Sequence, residues 1–404
     1  MAEHTQHSKR VPAPRRIPAS VMALAFVFVL GLGYIGGTFH AQILATVAPV
    51  FGGKVYSGTL DLSSVQTTYR ELKANFDGTI DENKLIEGAN RGLTEALGDE
   101  YTTYFNKTES EQFSNDLSGT IGGGIGVELS MRSENITAVR VLKDNPAEKA
   151  GIMAGDVIVK INDEDVASAW TVQDATTRIR GEAGTTVKLT VLRGSEVKEF
   201  TITRAEVSNP SVYSSVDQGV GIMTITRFDD QTGQLARAAA QSFKSQNVKS
   251  VILDLRGNGG GYITAAQDVA SLWLNDKVVV SERTNGKVVD ELKTGNSALL
   301  EGIPTAVLVN ASSASASEIV AGALQDHGVA KLVGEKTFGK GSVQKLIELP
   351  SGSELKVTVA RWYTPKGNNI SKQGIAVDKQ AALTIEDINA SRDPQLDAAK
   401  ELLK

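Results

Sequence analysis

The 404-residue sequence has no cysteine and only four histidines. The absence of cysteine excludes disulfides, a lipid-modified lipoprotein cysteine and cysteine-based zinc clusters. The four histidines are dispersed along the chain, so no zinc cluster is expected. The net charge of −5 gives no reason to expect a general affinity for nucleic acid. With cysteine absent and histidine scarce, serine and lysine are the residues left to carry catalytic chemistry. The 39 glycines are typical of a protein with many turns.

A strand, a serine-rich turn and a helix are predicted between residues 303 and 328. The run IPTAVLVN is typical of a buried strand, and EIVAGALQDHG has helical spacing and a glycine stop at Gly328. Between them, small residues allow a substrate backbone to approach, and the helix N-terminus suits a developing oxyanion. The arrangement resembles a nucleophile elbow without the G-x-S-x-G string. The residues alone leave Ser313, Ser315 and Ser317 as alternative nucleophiles.

A serine nucleophile needs a base, and the histidines cannot supply it. His327 lies twelve residues after Ser315 on the same predicted helix, about 18 Å away along its axis. Lys340, with a glycine on either side, is the next candidate, because glycines suit a lysine held in a tight turn. Its pKa would have to fall below about 10.4 by burial. Gln344 could orient the neutral amine without favouring its protonation.

Two motifs in this region, NASSASASEIVAGAL and GEKTFGKGSVQ, resemble the carboxyl-terminal processing (tail-specific) peptidase family of serine proteases. The offset of 25 positions from Ser315 to Lys340 matches the spacing of that family's Ser-Lys pair. The resemblance implies that Ser315 is the nucleophile, Lys340 the general base and Gln344 the orienting group. No metal or cofactor is implied.

A glycine-rich loop at residues 258–261 follows the predicted strand of LDLRGNGGG. This string resembles the strand and loop that precede the family's oxyanion site, although the family usually has Asn-Pro-Gly-Gly where this chain has Asn-Gly-Gly-Gly. By resemblance we assign the oxyanion hole to the N–H groups of Gly260 and Ala316. A phosphate-binding loop is the alternative, and the lack of a following G-K-[ST] argues against it.

Residues 116–206 form a separate predicted unit of short β runs with helices, including one after Pro146. The string NPAEKAGIMAGDVIVKIN resembles a PDZ domain, a fold that binds peptide C-termini by adding the peptide as an extra strand. By resemblance Ile125, Gly126 and Val127 form the loop whose N–H groups capture the terminal carboxylate. The alternative is an ordinary glycine-rich hairpin turn.

The N-terminus pairs a basic segment with a long uncharged one. Residues 1–16 carry four Lys and Arg residues, residues 17–39 carry no charge, and the next basic residue is Lys54. This asymmetry predicts a membrane segment with the N-terminus in the cytoplasm and the rest of the chain outside, in the periplasm or cell envelope. An uncleaved signal anchor is favoured over a long signal peptide, because no A-x-A site is visible. A buried soluble helix is the third alternative.

The sequence as a whole predicts a multidomain α/β protein with a membrane helix, a helical segment, a β-barrel-like PDZ domain and an α/β Ser-Lys protease core. The predicted boundaries are a cytoplasmic tail at 1–16, a transmembrane anchor at 17–39, a helical region at 55–115, the PDZ domain at 116–206, the protease core at 207–375 and a C-terminal helical region at 376–404.

The predicted function is that of a membrane-anchored serine endopeptidase acting outside the cytoplasm. The resemblance implies protein substrates with apolar, disordered C-terminal tails. A PDZ scaffold with an inactive protease domain is the alternative function, and an envelope signalling enzyme activated by a partner differs only in its regulation. Homo-oligomerisation and a regulatory partner are both left open.

Overall fold

The computed structural model describes residues 26–31, 33–34, 43, 58, 60–119, 122–132, 134–384, 386–387, 390 and 392–404. The predicted cytoplasmic tail lies outside these residues. Only residues 26–31, 33 and 34 of the predicted membrane segment are described, and they are helical. Within the described ranges, no helix combines the length and the apolar character that crossing a membrane requires.

The chain divides into two compact units, residues 1–82 and 83–404. In the first, the predicted helix is confirmed as α1 (Ser63–Asn75), which buries none of its side chains. Helix α2 (Glu82–Glu95) begins at the boundary, and its apolar residues Leu85 and Leu93 are exposed. Strand β1 (Thr103–Phe105) and helix α3 (Lys107–Ser118) follow. A capping box between Asn106 and Glu109 starts α3.

A six-stranded antiparallel sheet forms the PDZ-like unit, in the order β3-β4-β5-β7-β8 with β6 on β5. Its core is made of buried Ile, Val, Leu and Ala side chains. Strands β2 and β9 pair where the chain enters and leaves the unit. The elements are β2 (Gly123–Gly124), β3 (Val127–Arg132), β4 (Asn135–Val141), α4 (Pro146–Ala150), β5 (Val157–Ile161), β6 (Glu164–Asp165), α5 (Val172–Ile179), β7 (Thr186–Arg193), β8 (Glu196–Thr203) and β9 (Ala205–Glu206).

A second six-stranded sheet, in the order β10-β11-β12-β15-β16-β19, is the centre of the protease core and is parallel except for the β10–β11 pair. Both faces are covered, as expected for a parallel sheet. Val251 and Leu253 of β12 belong to the larger cluster with α6, α7 and α8, whereas Ile252 belongs to a smaller cluster with α9. The elements are β10 (Val212–Asp217), β11 (Val220–Ile225), α6 (Thr232–Ser245), β12 (Ser250–Asp254), α7 (Ile263–Ala270), β15 (Thr305–Val309), α8 (Ala316–Asp326), β16 (Ala330–Gly334), β19 (Lys379–Gln380) and α9 (Pro394–Leu402).

An antiparallel sheet of five strands completes the core, in the order β1-β18-β13-β14 with β17 on β18. The new elements are β13 (Val278–Thr284), β14 (Lys287–Lys293), β17 (Ser342–Glu348) and β18 (Glu354–Tyr363). Strand β1 pairs with residues 354–356 of β18, about 250 residues further along the chain. This long-range pairing attaches the segment before the PDZ-like unit to the protease core.

Three features of the predicted organisation differ from the structure. Helix α3 runs across the proposed boundary at 115/116, and a second PDZ helix, α5, was not predicted. The C-terminal region is not separate from the core, because β19 pairs with β16 and the Asp393 carboxylate lies 2.9 Å from the guanidinium of Arg256. The strands predicted in LDLRGNGGG and IPTAVLVN and the helix predicted in EIVAGALQDHG are confirmed as β12, β15 and α8.

Candidate active site

The serine-rich turn connects β15 to α8, as the sequence predicts. Ser315 occupies the N-cap position with φ of 55° and ψ of −115°. A non-glycine residue in this left-handed region is strained, and such strain is typical of functional turns. The turn places Ser315 at the positive end of an eleven-residue helix. Its side chain is partly exposed and lines a cavity of about 670 Å³.

The three candidate serines have different environments. Ser313 is buried, and its hydroxyl donates to the carbonyl of Leu255 at 2.8 Å. Ser317 is also buried, and its hydroxyl donates to the carbonyl of Asn258 at 2.9 Å. Both hydroxyls therefore attach the turn to the segment from Leu255 to Asn258, which leads into the glycine loop. Ser315 alone of the three lines the cavity, so the structure distinguishes serines that the sequence pattern left equivalent.

Lys340 lines the same cavity as Ser315. The turn around it is tight, as expected from its two glycines. Gly339 has φ of 96°, and a Cβ there would lie 2.8 Å from the backbone nitrogen of Gly374. Trp362 donates its indole N–H to the Lys340 carbonyl at 2.8 Å. In the described ranges, no hydrogen bond joins the Lys340 amine to the Ser315 hydroxyl, although both residues line the same cavity.

The electrostatic environment of Lys340 favours the neutral amine. Burial, followed by the positive charge of Lys356, lowers the pKa of Lys340, while the Glu318 carboxylate acts in the opposite direction. The ring of Tyr101 lies 5.5 Å from the Lys340 ammonium. Among the residues that the structure describes, no carboxylate lies within 4.0 Å of this ammonium. A base that must lose its proton near neutral pH benefits from such surroundings.

Gln344 also lines the cavity, on β17. The pairing of β17 with β18 shifts register between Val343 and Gln344, an irregularity that redirects side chains. The Gln344 amide donates to the hydroxyl of Ser342 at 2.8 Å and to that of Thr358 at 3.4 Å. The structure thus brings Gln344 close to the lysine region, but its amide donates to hydroxyl groups. Its role in orienting Lys340 stays a prediction.

The glycine loop packs directly against the serine turn. Gly260 has φ of 108°, and a Cβ there would lie 2.7 Å from the Ser315 Cβ, so only glycine allows this approach. The Gly260 N–H, however, donates to the side-chain oxygen of Asn258 at 2.9 Å. In this conformation the Gly260 N–H already has an acceptor, so it is not available for the oxyanion hole to which we assigned it. Gly259 and Gly261 line the same cavity.

The Ala316 N–H lies at the start of helix α8. Ala316 is the first residue of α8, where backbone N–H groups have no partner within the helix. In the described part of the chain, no group accepts a hydrogen bond from it. It therefore remains an available donor beside Ser315, and its oxyanion role stays a prediction.

Glu318 is a site residue that the sequence analysis missed. Its carboxylate is fully buried, and Oε2 accepts the backbone N–H groups of Ser315 and Lys340, each at 3.0 Å. Oε1 accepts the Gly339 N–H at 2.7 Å and the Thr337 hydroxyl at 2.5 Å. Burial raises the pKa of Glu318, and the four donated hydrogen bonds act against this. The S-x-x-E capping pattern from Ser315 could have revealed it.

Apolar side chains form much of the remaining wall of the active-site cavity. They come from helix α3, the segment after the glycine loop, and the five-stranded antiparallel sheet. These are Phe113, Leu117, Tyr262, Ile263, Val343, Leu346 and Trp362. Such a lining suits an apolar segment of polypeptide.

The predicted carboxylate-binding loop lies in the PDZ-like unit, away from the Ser315 cavity. Ile125, Gly126 and Val127 line a small groove of their own, together with Leu129 of β3 and Ile179 of α5. The Ile125 side chain is buried in the core of the unit, so it can offer a ligand only its backbone. Within the described residues, no group accepts a hydrogen bond from the Ile125 or Gly126 N–H. Among the described residues, β3 pairs with β4 and with no other strand, so its other edge is open, and α5 contacts this strand.

Three family models match the chain in the order in which its units occur. The model of the activating protease CtpB N-terminal domain matches residues 49–109 and the PDZ domain model residues 123–203. The model of peptidase family S41 matches residues 219–381, which include the serine turn, the Lys340 turn and the glycine loop.

Similar proteins cover most of the chain. A protein of Staphylococcus haemolyticus named "Probable CtpA-like serine protease" is 37% identical over 362 residues, 88% of this chain and 72% of that protein. A protein of the same name from Staphylococcus epidermidis is 36% identical over 380 residues, 92% of this chain and 76% of that protein. Among solved structures, the photosystem II D1 C-terminal processing protease is 28% identical with a TM-score of 0.51, covering 80% of this chain and 87% of that one.

Proposed function

The chain belongs to peptidase family S41 as a CtpA-like C-terminal processing serine protease with a PDZ domain, and we propose that it cleaves by a Ser315–Lys340 mechanism. The observation that carries this proposal is the shared cavity: Ser315, Lys340 and the glycine loop line it together. The hydroxyls of the two neighbouring serines are buried and engaged elsewhere. An inactive protease domain, the alternative function, would not require these groups to converge.

The proposed chemistry begins when the Ser315 oxygen attacks a peptide carbonyl. As the oxygen–carbon bond forms, the neutral Lys340 amine takes the hydroxyl proton, and the tetrahedral oxyanion is stabilised by the Ala316 N–H and an N–H of the glycine loop. The carbon–nitrogen bond then breaks, and Lys340 returns its proton to the leaving amine. Water attacks the resulting ester, again with Lys340 as base, and releases the acid and free Ser315.

We further propose that the PDZ domain recognises the C-terminus of the substrate. An extended peptide would add to the open edge of β3, with its terminal carboxylate at the Ile125 and Gly126 N–H groups. Leu129 and Ile179 provide apolar contacts in the same groove, and the cavity around Ser315 is also largely apolar. The favoured substrates are proteins with flexible, apolar C-terminal tails.

Amidation of a peptide's C-terminus should lower kcat/KM at least about tenfold, because it removes the charge that the loop N–H groups would bind. The measurement compares hydrolysis of one peptide as the free acid and as the amide. Changing residues at the distant N-terminus of that peptide is the control and should have a smaller effect. Ser315→Ala should cleave neither form. Equal cleavage of acid and amide would rule out recognition of the tail.

We propose that the protease acts outside the cytoplasm, anchored by residues 17–39. The support is the charge pattern of the sequence, with four basic residues before the apolar segment and none after it until Lys54. A reporter that is active only outside the cytoplasm, fused after residue 60, should therefore show activity. The matched control replaces the four basic residues with serine and should reduce that activity. Activity from a second reporter that works only in the cytoplasm, fused at the same position, would disprove the proposed location.

A further inference from the structure

A second lysine, Lys356, lines the active-site cavity but has no part in the proposed chemistry. It lies on β18, opposite Leu346 of β17 and Thr103 of β1. Thr358, two residues further along the same face, lies opposite Gln344. Lys356 therefore belongs to the strand pair that carries Gln344, and it shares the cavity with Ser315 and Lys340.

Aromatic rings hold the Lys356 ammonium in this position. It lies 5.2 Å from the ring centroid of Phe105 and 5.2 Å from that of Phe113. The two rings stack on each other with centroids 5.0 Å apart. Ring faces attract a cation without neutralising it. Burial lowers the pKa of Lys356 itself, and the rings of β1 and α3, two elements that precede the PDZ domain, act against this by attracting the charged form.

Carboxylates do not neutralise Lys356 in the described part of the chain, since none lies within 4.0 Å of its ammonium. Glu354, two residues earlier on the same face of β18, is beyond this limit. The other charged residues that line the cavity are Asp116 of α3, Lys345 of β17 and Arg227 after β11. Arg227 pairs with Asp229 at 2.9 Å.

Glu318, Tyr101 and Lys356 each influence the Lys340 amine. The Glu318 carboxylate from α8 would stabilise its charged form, but it is occupied by four hydrogen bonds from other donors. Tyr101 contributes its ring. Lys356 contributes a like charge, and a like charge in a partly buried site disfavours protonation of its neighbour. A cationic neighbour is one established means of activating a lysine.

We propose that Lys356 is a positioning residue for catalysis, acting through Lys340: its positive charge, held in the shared cavity by Phe105 and Phe113, opposes protonation of the Lys340 amine. The inference rests on the proposed role of Lys340 as base. The burial that lowers the pKa of Lys340 is independent of Lys356, so the second lysine adjusts the pH range of the enzyme and is not required for every turnover. The substitution that removes the charge is Lys356→Met, and Lys356→Arg retains it.

The first test is the pH dependence of kcat/KM. Only the neutral Lys340 amine accepts a proton, so activity rises with pH through its pKa. Loss of the neighbouring charge raises that pKa and moves the acid limb of the profile to higher pH, by about one unit in Lys356→Met. Lys356→Arg should keep the wild-type limb. Lys293→Met, which removes an exposed lysine from β14 of the same sheet, is the matched control.

The second test reads the Lys340 amine without turnover. In the Ser315→Ala background, trace acetylation with acetic anhydride across a pH series, followed by mass spectrometry of the Lys340 peptide, gives the midpoint of its titration. The midpoint should rise with Lys356→Met and stay with Lys356→Arg. An unchanged midpoint, or a loss of activity with an unchanged acid limb, would overturn the proposal. A Lys340→Arg enzyme that is still active would instead overturn the Ser-Lys mechanism itself, so the two failures are distinguishable.

Discussion

Lys340→Arg should abolish peptide hydrolysis, lowering kcat by roughly 10⁴-fold or more. The substitution keeps the positive charge but replaces an amine that can lose its proton with a guanidinium whose pKa exceeds about 12. In the native protein, burial and the charge of Lys356 lower the pKa of Lys340. Wild-type activity should accordingly rise with pH through that lowered pKa, and the measurement is kcat against pH for both proteins.

Two further variants separate loss of the base from loss of the fold. Lys340→Ala should be as inactive as Lys340→Arg, whereas Lys336→Ala, in the same loop but exposed, should keep its activity. Thermal unfolding should show that all three variants are folded. Wild-type hydrolysis by a folded Lys340→Arg protein would mean that another group activates Ser315, and the Ser-Lys mechanism would be wrong.

Glu318→Ala should remove activity and also destabilise the protein. The carboxylate accepts four hydrogen bonds, and its loss leaves the N–H groups of Ser315, Gly339 and Lys340 and the hydroxyl of Thr337 without this acceptor. An unsatisfied buried donor costs about 1–3 kcal/mol, so we expect at least about 3 kcal/mol of lost stability and a lower Tm. Activity should fall by at least about a hundredfold, because the turns that carry nucleophile and base lose their shared anchor.

Glu318→Gln provides the graded comparison. One amide oxygen can still accept two of the four hydrogen bonds, while the NH₂ group faces two donors, so stability and kcat should lie between those of wild type and Glu318→Ala. Denaturant unfolding and kcat, measured on the same preparations, test this order. The control is Glu335→Gln, a partly exposed position beside the Lys340 loop, which should change neither quantity. Full activity in Glu318→Ala would refute the anchoring role.

Local patterns in the sequence predicted the elements that carry the site. The small residues between IPTAVLVN and EIVAGALQDHG predicted the turn at Ser315, and the glycines around Lys340 predicted a confined loop. The local pattern left three serines open and only the family resemblance selected Ser315, because the physical difference between them depends on which hydroxyl finds a carbonyl across the core. The engagement of the Gly260 N–H by Asn258 likewise depends on one side-chain conformation.

Other features were missed for different physical reasons. The pairing of β1 with β18 joins residues about 250 positions apart, and no local pattern records such a contact. The hairpin of β13 and β14 places apolar residues such as Val288 on the surface, so the burial pattern of a strand is weak there. Helix α5 did carry a signal, the capping box between Thr171 and Asp174. Glu318 carried the same kind of signal, because it forms a capping box with Ser315.

Strands β1 and β9 mark the points at which the PDZ domain interrupts the protease fold, and this limits where the chain can be cut into fragments. The protease fold begins with β1, continues after β9, and receives the PDZ domain as an insertion between these points. Because β2 and β9 pair, the two chain crossings lie side by side, so a short turn could replace the whole insert. A fragment beginning after residue 206 would lose β1, and with it Phe105 beside Lys356 and the strand that protects one edge of β18. The protease fold is therefore discontinuous in sequence, because the PDZ domain divides its residues.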